Sequence, residues 1–200
     1  MGKCINYTVL VVSILVGLGV YQFGLLVPLN PIRGSFPEIP ILYTGVSGSY
    51  TKSYMSISNI VDYLKTNHGI DTSKLPTFGV YYDDPKTTEP KNCRSAVGIV
   101  IPSNFDTSIK LLDTFHYGKI DSARDVVVYH YPYKSLLSIF GGIIRVYPAA
   151  AKHFTVNNIP MPSGGIIELY GFHGSNITYV FGVGDSTGIV KNSPKMDYQN

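Results

Sequence analysis

The stretch DVVVYHYPYKSLLSIFGGIIRVYPAAAKHF, residues 125–154, decides the fold because it passes from a strand pattern directly into a helix pattern. Asp125–Tyr131 is rich in β-branched and aromatic residues, which favours a strand. Ser135–Phe154 has the apolar spacing of a helix, which we expect Pro148 to break or kink. Two further strands are predicted, at Gly165–Gly171 (GIIELYG) and Ile177–Gly184 (ITYVFGVG). This half of the chain therefore predicts the order β-α-β-β.

The preceding half repeats that order. A strand is predicted at Ile39–Val46, a helix at Ser53–Asn67, and two strands at Phe78–Tyr82 and Ser95–Ile101. A connecting helix is expected near Asp106–His116. The repetition predicts an α+β fold whose two β-α-β-β halves meet about a pseudo-twofold axis, with a ligand-binding groove between them.

An apolar segment precedes both halves. Tyr7–Val27 holds 21 residues without a charge, and at about 1.5 Å per residue it spans roughly the 30 Å hydrocarbon layer. We predict a transmembrane helix in the lipid bilayer, bounded by Tyr7 and Val27 and ended by Pro28. The alternative is a cleaved signal peptide with small residues at Gly17 and Gly19, which would leave a secreted domain.

Composition and residue spacing argue against two functional classes, nucleic-acid binding and metal binding. The net charge is +3, and the Lys and Arg residues are scattered without a basic stripe, so nucleic-acid binding is not predicted. The histidines and the two cysteines do not have metal-ligand spacing, and we predict neither a metal site nor a cofactor. The predicted organisation is a short N-terminus at 1–6, the transmembrane helix at 7–27, a linker at 28–37, the domain at 38–185 and a tail at 186–200.

Three segments occur in a recognisable order: FGVYYDDP at 78–85, PKNCRSAVG at 90–98 and YPYKSLLSIFGGIIRVYPA at 131–149. Together with the apolar segment they resemble the testis-expressed ER-phagy receptor family, whose folded part is a GyrI-like domain behind an N-terminal membrane helix. The resemblance implies a non-enzymatic adaptor or receptor in the endoplasmic reticulum membrane. It also implies a single-pass topology with a lumenal N-terminus and a cytosolic domain.

The same resemblance implies protein partners in the autophagy machinery or an AAA segregase. Receptors of the family carry a long C-terminal tail, in which an aromatic-x-x-aliphatic motif adds a strand to autophagosomal ubiquitin-like proteins. After Gly184 this sequence holds one aromatic residue, Tyr198, and the motifs for both partners are not found there.

Glu168 is the candidate ligand-binding residue. GyrI-like domains use an acidic residue of a late strand to meet cationic aromatic ligands, and by this resemblance Glu168 in IIELY occupies the matching place. The candidate groove consists of Glu168, Tyr170, Tyr81, Tyr129 and Tyr133. No catalytic residue is predicted, but one alternative is a hydrophobic-cation binder or hydrolase in which Glu168 acts as general base. A carboxylate pointing outward beside ordinary sheet tyrosines is the other interpretation.

Overall fold

The computed structural model of the protein describes residues 7–162 and 165–184. Within these residues the α-helices are α1 (Tyr7–Phe23), α2 (Ser53–His68) and α3 (Leu136–Val156). The strands are β1 (Ile32–Phe36), β2 (Ile39–Ser47), β3 (Thr77–Tyr81), β4 (Arg94–Val100), β5 (His116–Ile120), β6 (Ala123–Pro132), β7 (Ile166–Tyr170) and β8 (Asn176–Gly182). The predicted N-terminus at 1–6 and tail at 186–200 lie outside the described residues.

The duplicated order is confirmed as β2-α2-β3-β4 followed by β6-α3-β7-β8. These strands belong to one antiparallel sheet of order β1-β6-β8-β7-β3-β4-β2-β5, in which the two halves meet where β3 pairs with β7. The order is symmetric about that pairing, because each position on one side has its counterpart on the other. The expected pseudo-twofold arrangement of half-sheets therefore follows directly from the strand order.

Each half also gives one edge strand to the other half. β1 precedes β2 in the chain but pairs with β6, and β5 precedes β6 but pairs with β2. Two residues separate β1 from β2, and two separate β5 from β6. Neither pair forms a hairpin, because the two strands of each pair lie in different halves of the sheet. β1 lies within the predicted linker 28–37, and this part of the chain is thus integrated into the sheet.

The predicted connecting helix at Asp106–His116 is wrong. The Asp106 carboxylate accepts hydrogen bonds from the backbone N–H and hydroxyl of Ser108, at 2.9 and 2.6 Å, which stabilise a turn. Turns continue to Thr114, and β5 then begins at His116. Side-chain hydrogen bonding to the local backbone competes with helix formation here.

α3 runs without a break through Pro148. Pro148 is exposed, so the carbonyl that it leaves without an intrahelical donor faces water, while neighbouring turns pack against the sheet. Val146, Ala150 and Phe154 are buried in the cluster beneath α3. Tertiary packing therefore outweighs the local cost of the proline. Of the expected break or kink, the break is wrong, because the helix is continuous.

The predicted transmembrane helix Tyr7–Val27 is shorter than expected. α1 has 17 residues and ends at Phe23, since Gly24 adopts φ +71° and closes the last turn. At about 1.5 Å per residue it measures roughly 25 Å, against about 30 Å for the hydrocarbon layer. Across the described residues, the helices do not combine the length and apolar character that membrane crossing requires.

Three apolar clusters surround the sheet. α2 covers Leu42 and Ile99, and α3 covers Val127 and Ile177, on the same face of the sheet. A third cluster fills the opposite, curled face and includes Ile167. The central strands β3 and β7 thus lie between the two helices.

We expect Gly98→Ala to destabilise the protein by about 1–3 kcal/mol, the usual range for overpacking a core. A Cβ atom at Gly98 would lie 2.0 Å from the backbone oxygen of Leu42, which the paired strand β2 holds in place. Urea unfolding measures the difference. Gly34→Ala in β1 is the control, because a Cβ atom there meets nothing within 4 Å. Equal effects of the two substitutions would contradict the strand packing.

Candidate ligand-binding site

The strand register places Glu168 on the helix-bearing face of the sheet, between α2 and α3, and we call this place the candidate groove. Glu168 lies directly opposite Gly79 of β3 on one side and Tyr179 of β8 on the other. Directly opposed residues of antiparallel strands point to the same face. Ile167 and Leu169 fill the opposite apolar cluster, so Glu168 projects between α2 and α3.

The Glu168 carboxylate is held by two phenols. Tyr147 Oη donates a hydrogen bond to Oε1 over 2.6 Å, and Tyr170 Oη donates a short one to Oε2. Glu168 is only 2% exposed. Within residues 7–162 and 165–184, no Lys, Arg or His forms a salt bridge with it. The site therefore combines a buried acid with neutral hydrogen-bond donors.

Burial raises the pKa of Glu168, and the hydrogen bonds from Tyr147 and Tyr170 offset part of that rise. Desolvation disfavours the charged form, whereas donors that bind the carboxylate favour it. Burial followed by the nearby Glu168 charge also raises the pKa values of both tyrosines, which stay protonated donors. The phenols thus stabilise the ionised form of Glu168, with which a positively charged group could pair.

Two more tyrosines complete an inner layer. Burial and then the charge of Glu168 raise the pKa of Tyr81 and of Tyr179. The Tyr179 hydroxyl is buried and has no hydrogen-bond partner within the part of the chain that the structure describes. A buried hydroxyl without a partner is costly to the fold.

Two glycines create the space for these rings. A Cβ atom at Gly79 would lie 2.7 Å from Tyr81 Oη, and one at Gly142 would lie 2.0 Å from Tyr179 Oη. Gly79 allows the Tyr81 ring to fold back along its own strand. Gly142 brings α3 close to the sheet at Tyr179, beside the Tyr147 ring, whose centroid is 6.0 Å from that of Tyr179.

An outer layer of aromatic rings lies next to the inner one. The Tyr50 ring packs edge-on against Tyr81 with centroids 4.8 Å apart, and the Tyr133 ring lies 6.0 Å from Tyr170. Tyr54 of α2 is exposed and close enough to Tyr133 to raise the pKa of that phenol, after the larger effect of burial. Aromatic rings therefore extend from the protein surface at Tyr54 to the tyrosines around Glu168.

The structure brings four of the five proposed residues together. Glu168 contacts Tyr170 directly, Tyr81 lies within electrostatic range of the carboxylate, and Tyr133 packs on Tyr170. Tyr129 lies in the same row of the sheet but one strand further out, with Tyr179 between it and Glu168. Its ring packs edge-on against Phe181 beneath α3.

Sequence reasoning missed Tyr147 and Tyr179. Tyr179 stands in the strand that neighbours β7, and its place beside Glu168 depends on the register of that pair. Tyr147 immediately precedes Pro148, where the helix was expected to break. Only a helix that continues through Pro148 keeps Tyr147 in the periodicity of α3 and next to Glu168, so the expected break concealed its role.

A depression of about 640 Å³ lies beside α2, away from Glu168. Residues of β2, α2, the turn before α2 and the loop before β5 line it, among them Lys52, Asn59 and Asp62. These three side chains are exposed. We therefore regard the site at Glu168 as the stronger candidate, because Glu168 is a buried carboxylate without a salt bridge to any residue that the structure describes.

Residues 35–150 match the family described as the GyrI-like small molecule binding domain. Human testis-expressed protein 264 is 30% identical over 155 residues, which cover 74% of this chain and 47% of that protein. The mouse homolog is 30% identical over 134 residues, covering 63% and 41%. The chain thus spans less than half the length of these two curated relatives. The family match includes Tyr81 and Tyr147 and ends before Glu168.

The crystal structure of the EcmrR C-terminal domain has a similar fold. Its TM-score is 0.55 at 14% sequence identity, covering 78% of this chain and 98% of that domain. At this identity the likeness concerns the fold alone.

We expect Glu168→Gln to gain free energy of unfolding relative to the wild type as the pH rises, because the amide cannot acquire the charge that burial disfavours at Glu168. With its pKa raised, folded Glu168 holds a proton more tightly than the unfolded chain, where the Glu pKa is about 4.3. This stabilisation is complete below about pH 4.3 and is lost as pH rises through the folded pKa. A tenfold change in proton affinity corresponds to about 1.4 kcal/mol.

Urea unfolding at a series of pH values tests this. The wild-type and Glu168→Gln proteins should converge in acid and separate as the pH rises. Glu89→Gln is the control, because Glu89 is exposed and paired only with Lys91. Wild-type and Glu168→Gln curves that stay parallel at all pH values would contradict the buried, high-pKa carboxyl.

Proposed function

The chain belongs to the GyrI-like small molecule binding domain family, and on that premise we propose that it binds a small hydrophobic cation between α2 and α3. Glu168 supplies the counter-charge, and Tyr81, Tyr147, Tyr170 and Tyr179 supply the walls. The observation that carries the proposal is a buried carboxylate surrounded by phenols without a salt-bridge partner in the described residues.

A cation in this place would compensate an unfavourable arrangement. A buried ion without an opposite charge costs several kcal/mol, and pairing recovers much of that free energy. Aromatic faces add an attraction of about 0.5–2 kcal/mol for a cation held over them. The ligand's charge and its apolar surface would therefore be recognised by different parts of one site.

Entry of the ligand requires a rearrangement of the tyrosines. Glu168 is covered by Tyr147 and Tyr170, which are themselves partly accessible. If either phenol turns away, one carboxylate oxygen becomes available to the ligand.

Tetraphenylphosphonium should stabilise the full chain against heat, and tetraphenylborate should not. The two ions have nearly the same shape and opposite charge, so the comparison isolates the electrostatic contribution. Glu168→Gln should lose the stabilisation by the cation, whereas Glu89→Gln should retain it.

The wild-type affinity for the cation should fall as the pH drops through the raised pKa of Glu168, because the neutral acid no longer attracts the cation.

Isothermal titration over the same pH range would measure the affinities. Equal binding of the two ions, or full retention of cation binding by Glu168→Gln, would exclude Glu168 as the counter-charge. No response to a wider panel of hydrophobic cations would exclude this class of ligand.

A hydrolase that uses Glu168 as general base is the alternative use of this site. A raised pKa in an aromatic pocket suits a general base. We propose binding without turnover, because the family whose model matches the chain is described as a small molecule binding domain. Chemically altered ligand after incubation with the wild type, and not with Glu168→Gln, would favour the hydrolase.

A second proposal concerns the cellular role: a membrane-associated adaptor at the endoplasmic reticulum, with its domain in the cytosol. It is supported by the sequence resemblance to ER-phagy receptors and by the apolar, exposed residues 7–18 of α1. Proximity labelling from a C-terminal tag in intact cells should recover cytosolic proteins of the endoplasmic reticulum surface, including autophagy or segregase components. Recovery of lumenal proteins alone would overturn the proposal.

A further inference from the structure

The N-terminal half of α3 carries an exposed apolar face. Its members are Leu136, Leu137, Phe140, Ile143 and Ile144. Their spacing of three and four residues places them on one side of the helix. Phe140 and Ile144 are 58% and 64% exposed, although α3 buries its opposite side against the sheet. Contiguous apolar surface of this kind usually marks an interaction site.

α1 is joined to this part of the domain by its C-terminal carbonyl groups. The final turn of a helix leaves carbonyl oxygens without intrahelical donors. Here Ser138 Oγ donates to Gln22 O at 2.9 Å, and Tyr131 Oη donates to Phe23 O at 2.6 Å. A Cβ atom at Gly141 would lie 2.0 Å from Phe23 O, so a glycine is needed at this contact.

Two basic side chains complete the junction. Arg145 Nη1 donates to Gly24 O at 3.0 Å and to Val27 O at 2.7 Å. Lys134 Nζ donates to Tyr21 O at 3.1 Å and lies 3.3 Å from the centroid of the Tyr21 ring. Side chains from the domain thus supply donors to five backbone carbonyls between residues 21 and 27. α1 and the apolar face of α3 are held in one fixed arrangement.

The chemistry of both surfaces favours lipid. Residues 7–18 of α1 are exposed on every side and contain no charged residue. α3 contains no Asp or Glu, while Arg145 and Lys152 are basic, and Lys134 lies just before the helix. Lys, Arg and Tyr at the border of an apolar surface are typical of the membrane–water interface. Basic residues also attract anionic headgroups.

We propose that the apolar face of α3 rests on a lipid bilayer beside α1, so that the domain lies against the membrane in one orientation. The face would enter the headgroup–acyl boundary, which interfacial helices reach to a depth of about 5–10 Å. The inference deepens the proposed membrane association and is independent of ligand binding at Glu168.

Site-specific fluorescence on vesicles tests the orientation. The full chain carries Cys4→Ser, and its remaining Cys93 is buried. Phe140→Cys and Ile144→Cys are labelled with nitrobenzoxadiazole and bound to phosphatidylcholine–phosphatidylserine vesicles containing acyl-chain nitroxides. Quenching at both positions should be severalfold greater than at Ser58→Cys on α2, which is also exposed. A second control is Val156→Cys, an exposed apolar position in the last turn of α3.

The possible outcomes distinguish the orientation of the domain on the membrane from membrane association itself and from ligand binding. Flotation of the protein with vesicles but equal quenching at all four positions would overturn the orientation and leave membrane association intact. Failure to float would overturn both. A concentration-dependent blue shift of the 140 and 144 labels without vesicles would identify a second copy of the chain as the occupant and overturn the inference. Tetraphenylphosphonium binding, measured separately, reports only on the Glu168 site.

Discussion

The pairing of β3 with β7 is the constraint on which the rest of the structure depends. It joins the two halves of the sheet, and its register sets Gly79 opposite Glu168. Because Gly79 has no side chain, Tyr81 can fold over it and approach the carboxylate. The same pairing keeps α2 and α3 apart, each over its own half. A shift of one residue would turn Glu168 into the apolar cluster of the opposite face.

A buried acid without a cation is unfavourable for the isolated fold, and the tyrosines around Glu168 reduce that cost without removing it. Neutral phenols donate hydrogen bonds to the carboxylate but cannot cancel its charge. Four rings crowd this place because two glycines, in β3 and α3, admit them. A positively charged ligand, as proposed above, would offset that cost, and the family to which the domain belongs is described as small molecule binding.

The contact between α1 and α3 also restricts which residues α3 can have. Gly142 admits Tyr179 on the side that faces the sheet, and the adjacent Gly141 admits the end of α1. One pair of glycines therefore serves both the ligand groove and the contact with the N-terminal helix. Glycine lowers helix stability, so packing on both sides must compensate for the pair. The groove and the proposed membrane surface consequently lie on one helix.

The sequence by itself determined the elements with strong local patterns: both helices of the domain and the six strands of the duplicated order. Periodicity and side-chain type carry that information locally. Glu168 and its tyrosines were proposed from the resemblance to GyrI-like domains, and their role as a binding site stays a prediction. Only the tertiary structure decided the edge strands β1 and β5, which exchange between the halves, because IRGSF and HYGKI lack a run of β-branched residues and depend on pairing with distant strands. Likewise, packing carried α3 through Pro148 and thereby delivered Tyr147 to Glu168. The strand register put Tyr179 rather than Tyr129 beside the carboxylate, since which residues become neighbours across a sheet depends on hydrogen bonds between strands far apart in the chain.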